Sequence, residues 1–398
     1  MGNTRRSTNK TTKNKGVKKI NNYNILYAIL IIGGLLTVLL NVGWSDPDSY
    51  AFYNRSCLNA KDFTTPELSK QIFSKINCNI INWKATQIIL GIITLLTFFI
   101  SSKIIFEKEN NDSFYLYLYS SSITMFLLNF EDDNISLPAL IILMAILYKT
   151  KKEELGKKIL FGIPIFFITI FFGEKIWSGT FLIMGIFLLW YFAPKISTIT
   201  IPLYYIFFPN NANEYHVSEE TIGISSIINN PLSAISAYFI LDDWKKKTIK
   251  HDEIIILGIF FILSIIKPKW GIYFAIINTW YLWPKIKNFL IQKKLLDFYK
   301  IIGVGIFYFG CIWITFNAGP NPEMWVLINQ AVDYQKQGSV LYNDWGLGRY
   351  ISFLEGKPSI EGGGGQQFFP DSNYIWLGEK KDNCFTLNSS GKLFLQKC

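Results

Sequence analysis

The chain has 398 residues, is 50% hydrophobic and 17% aromatic, and carries a formal net charge of +10. With a mean hydropathy of +0.24, this composition argues against a soluble globule. The basic excess falls in short loops between apolar runs, and no motif of a nucleic-acid-binding fold is present, so membrane topology explains the charge and nucleic acid is set aside as a partner.

A bilayer-spanning helix needs about 20 mostly apolar residues. Residues 1–22 are polar and basic, with no apolar core, and read as a disordered cytoplasmic tail. The run that follows, Tyr23–Val42, is long for a signal peptide and lacks a small-residue cleavage site, so it is expected to be an uncleaved anchor running outward. Loop 43–82 then lies outside. Span two, Trp83–Phe106, returns. Span three, Ser113–Phe130, runs out to an acidic loop at 131–134. Ile135–Tyr148, Ile159–Phe172, a sixth run ending at Pro194 and Ile196–Phe208 alternate in the same way and lead to a polar loop at 209–226. Ile227–Leu241, Ile254–Ile266, a tenth run ending at Pro284 and Ile301–Phe316 complete about eleven spans. The expected architecture is an all-α polytopic membrane domain over 23–316. A small outer-face domain follows at 317–398, with a helix expected at Trp325–Gln337.

Five cysteines occur. Cys311 lies inside an apolar span and is expected to be packed there. Cys57, Cys78, Cys384 and Cys398 fall on the expected outer side, where two disulfides are compatible with the compartment and the pairing stays open. Two sequons, Asn54-Arg-Ser56 and Asn388-Ser-Ser390, face the same way.

Four stretches on that side carry chemistry. In Trp44-Ser-Asp46-Pro-Asp48-Ser-Tyr-Ala-Phe52, two carboxylates two residues apart can both reach a divalent cation or an acceptor; taken alone, the segment reads more readily as a Pro turn with capping aspartates. Glu131-Asp132-Asp133-Asn134 offers hard oxygen ligands of the kind that suit Mg²⁺ or Mn²⁺ bridged to substrate phosphates. The stretch Asn210–Thr221 gathers His216, Glu219 and Glu220 beside a membrane boundary, where ionisable groups are costly. In Tyr342-Asn343-Asp344-Trp345-Gly-Leu-Gly-Arg349-Tyr350, aromatic residues flank one acid, and glycines allow a ligand's backbone to approach.

Taken together, these four stretches resemble the catalytic subunit of oligosaccharyltransferase, especially the single-subunit archaeal and bacterial enzymes of the GT-C membrane glycosyltransferases. Asp48-Ser-Tyr-Ala-Phe is similar to the family's first acidic motif, Glu131-Asp-Asp133 to its DxD-type motif, His216-Val-Ser-Glu219 to its SVSE motif and Tyr342-Asn-Asp-Trp-Gly346 to its WWDYG motif. The order is kept. The family usually has about thirteen spans, so a pair is missing here.

The resemblance implies transfer of an oligosaccharide from a polyprenyl (pyro)phosphate carrier, such as dolichyl phosphate, to a protein asparagine. Asp48 and Glu219 would be catalytic. Asp48, Glu131, Asp132, Asp133 and Glu219 would hold Mn²⁺ or Mg²⁺. Tyr342, Asn343, Asp344 and Trp345 would face the acceptor polypeptide. Lys267 and Lys269 would face the donor phosphate, while Asp46, His216, Glu220 and Arg349 are secondary candidates. Membrane lipid and the lipid-linked donor are the expected partners. The protein is expected in the cell membrane, multi-pass, with its N-terminus cytoplasmic and its C-terminal domain outside. A GT-C transferase that moves a sugar from a polyprenyl-phosphate donor to a lipid or glycan is the alternative. A transporter fits less well, because its polar groups should lie within the spans.

Overall fold

A computed structural model describes residues 22–40, 53, 57, 75–76, 79–106, 111–128, 133–175, 179–202, 232–248, 250–266, 270–317, 322–337, 339–343, 347, 351, 374–378, 380–390 and 393–398. Helices dominate. They are α1 (Asn22–Leu36), continued by a 3₁₀ turn at Thr37–Leu40, α2 (Ile80–Phe106), α3 (Phe114–Tyr117), α4 (Ser121–Leu128), α5 (Asp133–Thr150), α6 (Leu155–Lys175), α7 (Gly179–Phe192), α8 (Pro194–Ser197), α9 (Leu232–Lys245), α10 (His251–Ile266), α11 (Gly271–Gln292), α12 (Leu296–Asn317) and α13 (Pro322–Lys336).

Among the described residues, four helical segments are long and apolar enough to cross a membrane: Tyr23–Leu40, Ile81–Phe106, Leu155–Lys175 and Leu296–Phe316. Their outward faces confirm what length suggests. On α6, Ile163, Phe166, Phe167 and Phe171 are exposed, and on α12 so are Phe309, Trp313 and Phe316. Water would not tolerate so continuous an apolar surface, whereas lipid tails do. The protein is therefore a helical, membrane-associated one.

The helices pack tightly on their inner faces. Glycine makes one crossing possible: a Cβ on Gly303 of α12 would stand 2.9 Å from the Tyr119 ring and 3.0 Å from the Tyr115 carbonyl oxygen. Inside the bundle, Trp280 Nε1 donates to Tyr117 Oη at 2.6 Å, and the Ser101 hydroxyl lies 3.1 Å from the same oxygen. These three polar groups thus have partners where water is scarce.

Two expectations change. Span three is not one helix: α3 ends at Tyr117, and Leu118, Tyr119 and Ser120 close i→i−3 bonds to Tyr115, Leu116 and Tyr117 before α4 begins. That is a 3₁₀ turn between two short helices. The tenth run does not stop at Pro284. Helix α11 passes through it to Gln292, because the apolar and long side chains after the proline still pack and a missing N–H costs one bond of the ladder.

Residues 340–398 add something the all-α expectation omits. Strands β1 (Val340–Asn343), β2 (Tyr374–Gly378), β3 (Phe385–Ser390) and β4 (Leu393–Lys397) form one sheet in the order β1-β2-β4-β3. β1 and β2 run parallel, and the other pairs are antiparallel. Helix α13, expected at Trp325–Gln337, covers the sheet with Leu327, Ile328, Ala331 and Val332. Cys384 and Cys398 are disulfide-bonded, and Cys57 is also disulfide-bonded. Cys311 is buried and free, as expected. In the sequon at Asn388, the carboxamide donates to Gln330 Oε1 at 2.8 Å, and Ser390 Oγ donates to Glu323 Oε2 at 2.7 Å. Both bonds tie the edge strand to α13.

Candidate functional site

The first turns of α2 organise the end of the bundle where the C-terminal domain sits. Trp83, Lys84 and Gln87 are 0%, 3% and 1% exposed. The last carbonyls of any helix lack partners inside that helix. Away from water such orphans are costly. Here α2 supplies partners to two other helices. Lys84 Nζ donates to the Val38 carbonyl at 2.9 Å, in the 3₁₀ turn that ends α1. Gln87 Nε2 donates to the Leu128 carbonyl, the last residue of α4. The ammonium also suits the negative end of the α1 dipole.

Further bonds fix the same two exits. The Thr37 hydroxyl donates to the Gly34 carbonyl at 2.7 Å and lies 3.0 Å from the Thr315 hydroxyl on α12. Asn134 Nδ2, from the first turn of α5, donates to the Phe126 carbonyl at 3.0 Å. Lys84 and Gln87 are three residues apart, a rise of about 4.5 Å along α2. The ends of α1 and α4 are thus held by adjacent turns of one helix. In sequence, the α1 end leads into Asp46 and Asp48, and the α4 end leads into Glu131, Asp132 and Asp133.

Trp83, one turn before Gln87 on α2, serves a second cluster. It packs into the core of the C-terminal domain with Leu327, Ile328, Leu341, Leu347, Ile351, Ile375, Leu377 and Leu395, and Leu90, Ile135 and Tyr53 close around it. Burial pushes the Tyr53 phenol above its usual pKa. Strand β1 belongs to this domain. It ends at Asn343, and Asp344 is the next residue in the sequence.

Of the residues singled out in the sequence, Asp46, Asp48, Glu131, Asp132, His216, Glu219, Glu220, Lys267, Lys269, Asp344, Trp345 and Arg349 lie outside the described residues. Asp133 opens α5, and Tyr342 and Asn343 close β1. No group of three or more His, Cys, Asp or Glu side chains gathers among the described residues. The carboxylates named as metal ligands lie almost wholly beyond them, and as a set of hard oxygens they suit Mg²⁺ or Mn²⁺. Lys84 and Gln87 were not singled out. Their signal is a lysine and a glutamine at i and i+3 inside an apolar run, which places both on one helix face.

At the opposite end of the bundle, described residues form ion pairs. Lys285 on α11 pairs with Asp243 on α9, and Tyr281 Oη donates to Asp243 Oδ2 at 3.2 Å. Burial opposes the Asp243 charge, but the Lys285 ammonium, with hydrogen bonds from Tyr281 and Thr248, holds its carboxyl below the ordinary value. Lys151 pairs with Asp252 at 3.2 Å and Lys300 with Asp112 at 2.7 Å.

No family model, no curated protein and no solved structure matches the chain. Fold and composition define a class, a helical membrane-associated protein with a small α/β domain docked on the start of one long helix.

Proposed function

We propose that the chain is a membrane glycosyltransferase, oligosaccharyltransferase-like, that moves a glycan from a polyprenyl (pyro)phosphate carrier to an asparagine side chain. It would have GT-C architecture with about eleven spans, a cytoplasmic N-terminus and an outer C-terminal domain. The observation that carries this reading is the convergence on the first turns of α2. The helix ends leading to Asp48 and to Glu131–Asp133 are bound by Lys84 and Gln87, and the domain bearing Tyr342 and Asn343 packs on Trp83. Three segments far apart in sequence, each adjoining one of those motifs along the chain, meet one short piece of scaffold there.

An amide nitrogen is a poor nucleophile because its lone pair is delocalised. Asp48 and Glu219, accepting its two N–H bonds, would turn the amide out of conjugation and aim it at the sugar carbon. Mn²⁺ or Mg²⁺, held by Asp48, Asp132, Asp133 and Glu219 with Glu131 nearby, would supply charge neutralisation at the leaving phosphate. Lys267 and Lys269 would add point charges there. Tyr342, Asn343, Asp344 and Trp345 would line the acceptor side.

The test is transfer itself. Purified protein, a lipid-linked oligosaccharide and an Asn-X-Ser/Thr peptide should yield a glycopeptide by mass spectrometry. Asp48→Ala should lower the rate by about 10²-fold or more, the loss expected when a positioning carboxylate is removed. Absence of glycopeptide with a donor of verified competence overturns the reading, and a sugar appearing on a lipid or glycan acceptor instead moves the protein to the alternative class.

A further inference from the structure

Helices α9 and α11 pack side by side. The Ser236 hydroxyl bonds the Asn278 carboxamide, and farther along Asp243 accepts from Tyr281 and Lys285. Helix α9 then stops in the run Trp244-Lys245-Lys246-Lys247. Helix α11 passes Lys287 and stops at Gln292, just before Lys293 and Lys294.

The acids at this end are mostly occupied. Asp242 pairs with Lys246 at 2.7 Å, Asp243 with Lys285, Asp252 with Lys151 at 3.2 Å and Glu253 with Lys250 at 3.3 Å. Among the described residues, Lys245, Lys247, Lys287, Lys293 and Lys294 are left without an ion pair, and Asp297 is the one acid left beside them. The excess is positive and concentrated on two neighbouring helix ends.

Backbone geometry points the same way. Lys247 and Lys294 have φ of 55° and 54°. Each sits just past its helix, where the left-handed residue is usually glycine. Other side chains are uncommon in that region, and asparagine and aspartate are the usual exceptions. The helix dipole offsets only part of the cost of a lysine there. Strained residues of this kind persist at ligand clamps, where the side chain they carry is used. Here one residue type, in one conformation, ends both helices.

The surface beside the lysines is apolar. Tyr238, Leu241 and Trp244 are exposed, Trp244 by 67%, as is Lys245. The four fall within an arc of about 120° on α9. Phe289 on α11 and Phe298, at the start of the membrane-length helix α12, are exposed as well. Aromatic rings at headgroup level with lysines just beyond them are the pattern of a bilayer interface. A lipid covers both parts at once, its phosphate on the ammonium groups and its chains on the rings.

We infer that the adjoining ends of α9 and α11 form a docking site for anionic lipid headgroups. Lys245, Lys247 and Lys287 would take the phosphate, Lys293 and Lys294 would extend the basic surface, and Trp244 would sit at the level of the glycerol. The site lies away from the C-terminal domain and does not depend on the reaction proposed for that end.

The test uses the full chain in neutral detergent, titrated with phosphatidylglycerol or phosphatidylcholine and read as apparent Tm. Phosphatidylglycerol should raise Tm saturably and phosphatidylcholine should not, and NaCl at about 1 M should remove most of the effect. Lys245→Gln/Lys247→Gln should raise the half-saturating phosphatidylglycerol concentration by about fivefold per lysine. Lys157→Gln/Lys195→Gln, the same charge change on exposed lysines of α6 and α8, should bind like the parent. Lys247→Gly and Lys294→Gly should melt higher than the parent in detergent alone yet need more phosphatidylglycerol, opposite movements that a purely structural lysine would not give. The inference is overturned if phosphatidylcholine stabilises equally, or if the α6/α8 pair weakens binding as much as the α9 pair. It is also overturned if inorganic phosphate or soluble polyglutamate matches the lipid.

Discussion

Trp83 stands edge-on to Tyr53, with ring centres 5.3 Å apart and ring planes at 77°. That contact links α2 to the loop leading out of α1. The same indole is fully buried in the core of the C-terminal domain. It is the place where the membrane bundle, the first loop and the sheet meet, and edge-to-face geometry adds to the area the rings bury. Trp83→Ala should therefore cost about 3–5 kcal/mol, as for other fully buried large aromatics. The loss should fall on docking of the domain before it falls on the bundle. Limited proteolysis should release a fragment cut near residues 318–321, and Trp83→Phe should retain most of the protection.

The disulfide between Cys384 and Cys398 joins residues 14 apart. It pins the start of β3 to the end of β4 in a domain that, at about 80 residues, lies near the size where a core alone gives marginal stability. Closing a loop of that length stabilises by about 3 kcal/mol in the chain-entropy account. Reduction should expose the β3 edge to hydrogen exchange while α2 and α12 stay protected. The Cys384→Ser/Cys398→Ser double variant should reproduce the reduced profile without reductant.

The helices were the most legible part of the chain. The runs beginning at Trp83, Ile135, Ile159, Ile254 and Ile301 all became helices, because a continuous apolar run away from water has few other ways to satisfy its backbone. The sheet was not legible. Tyr374–Gly378 is buried throughout, and a short apolar run of that kind reads equally as strand or helix. Its parallel partner, β1, is thirty residues upstream, so no hairpin signal marks the pair. Helix α3–α4 reads as one run because hydropathy does not register a single 3₁₀ turn at Leu118–Ser120. The acidic motifs stand out by composition, whereas the side chains that bind their helix ends do not. A lysine near the start of an apolar run reads as one that reaches out to the headgroups, and only the structure turns Lys84 inward to Val38.

Two helices at the end away from Trp83 stop without a glycine. Lys247 and Lys294 have φ of 55° and 54°. In each case the next residue bonds back five positions, Thr248 N to Asp243 O at 2.9 Å and Leu295 N to Leu290 O at 2.8 Å. Those are Schellman stops, in which the left-handed residue is usually glycine. A lysine there crowds its Cβ against the backbone. Lys247→Gly and Lys294→Gly should each stabilise the protein by about 0.5–1 kcal/mol, less a few tenths for the lost charge at the helix C-terminus. The check is the apparent Tm in detergent, which should rise for glycine and fall for Lys294→Val, whose branched Cβ tolerates positive φ worst.

Asp243 makes stability depend on pH in a stated direction. Its carboxyl ionises below the ordinary value of 3.8, despite a burial that opposes charge, because Lys285, Tyr281 and Thr248 favour the ionised form. A depressed carboxyl contributes stability that is fully present above the unfolded-state pKa and is lost as pH falls through the folded-state value. The contribution is therefore constant from neutral pH down to about pH 5 and fades below it. Lys285 and Asp243 are 22% and 17% exposed, so the pair lies between the surface and buried cases. Asp243→Asn should cost about 1–2 kcal/mol at pH 7. Other carboxylates titrate in the same range, so the wild-type and Asp243→Asn unfolding curves must be compared pH by pH. Their difference should shrink progressively as pH falls below about 5, through the lowered folded-state value. Lys285→Met should also lose stability at pH 7, because it strands the Asp243 carboxylate, and in that variant acidification should restore stability as the carboxyl takes up its proton.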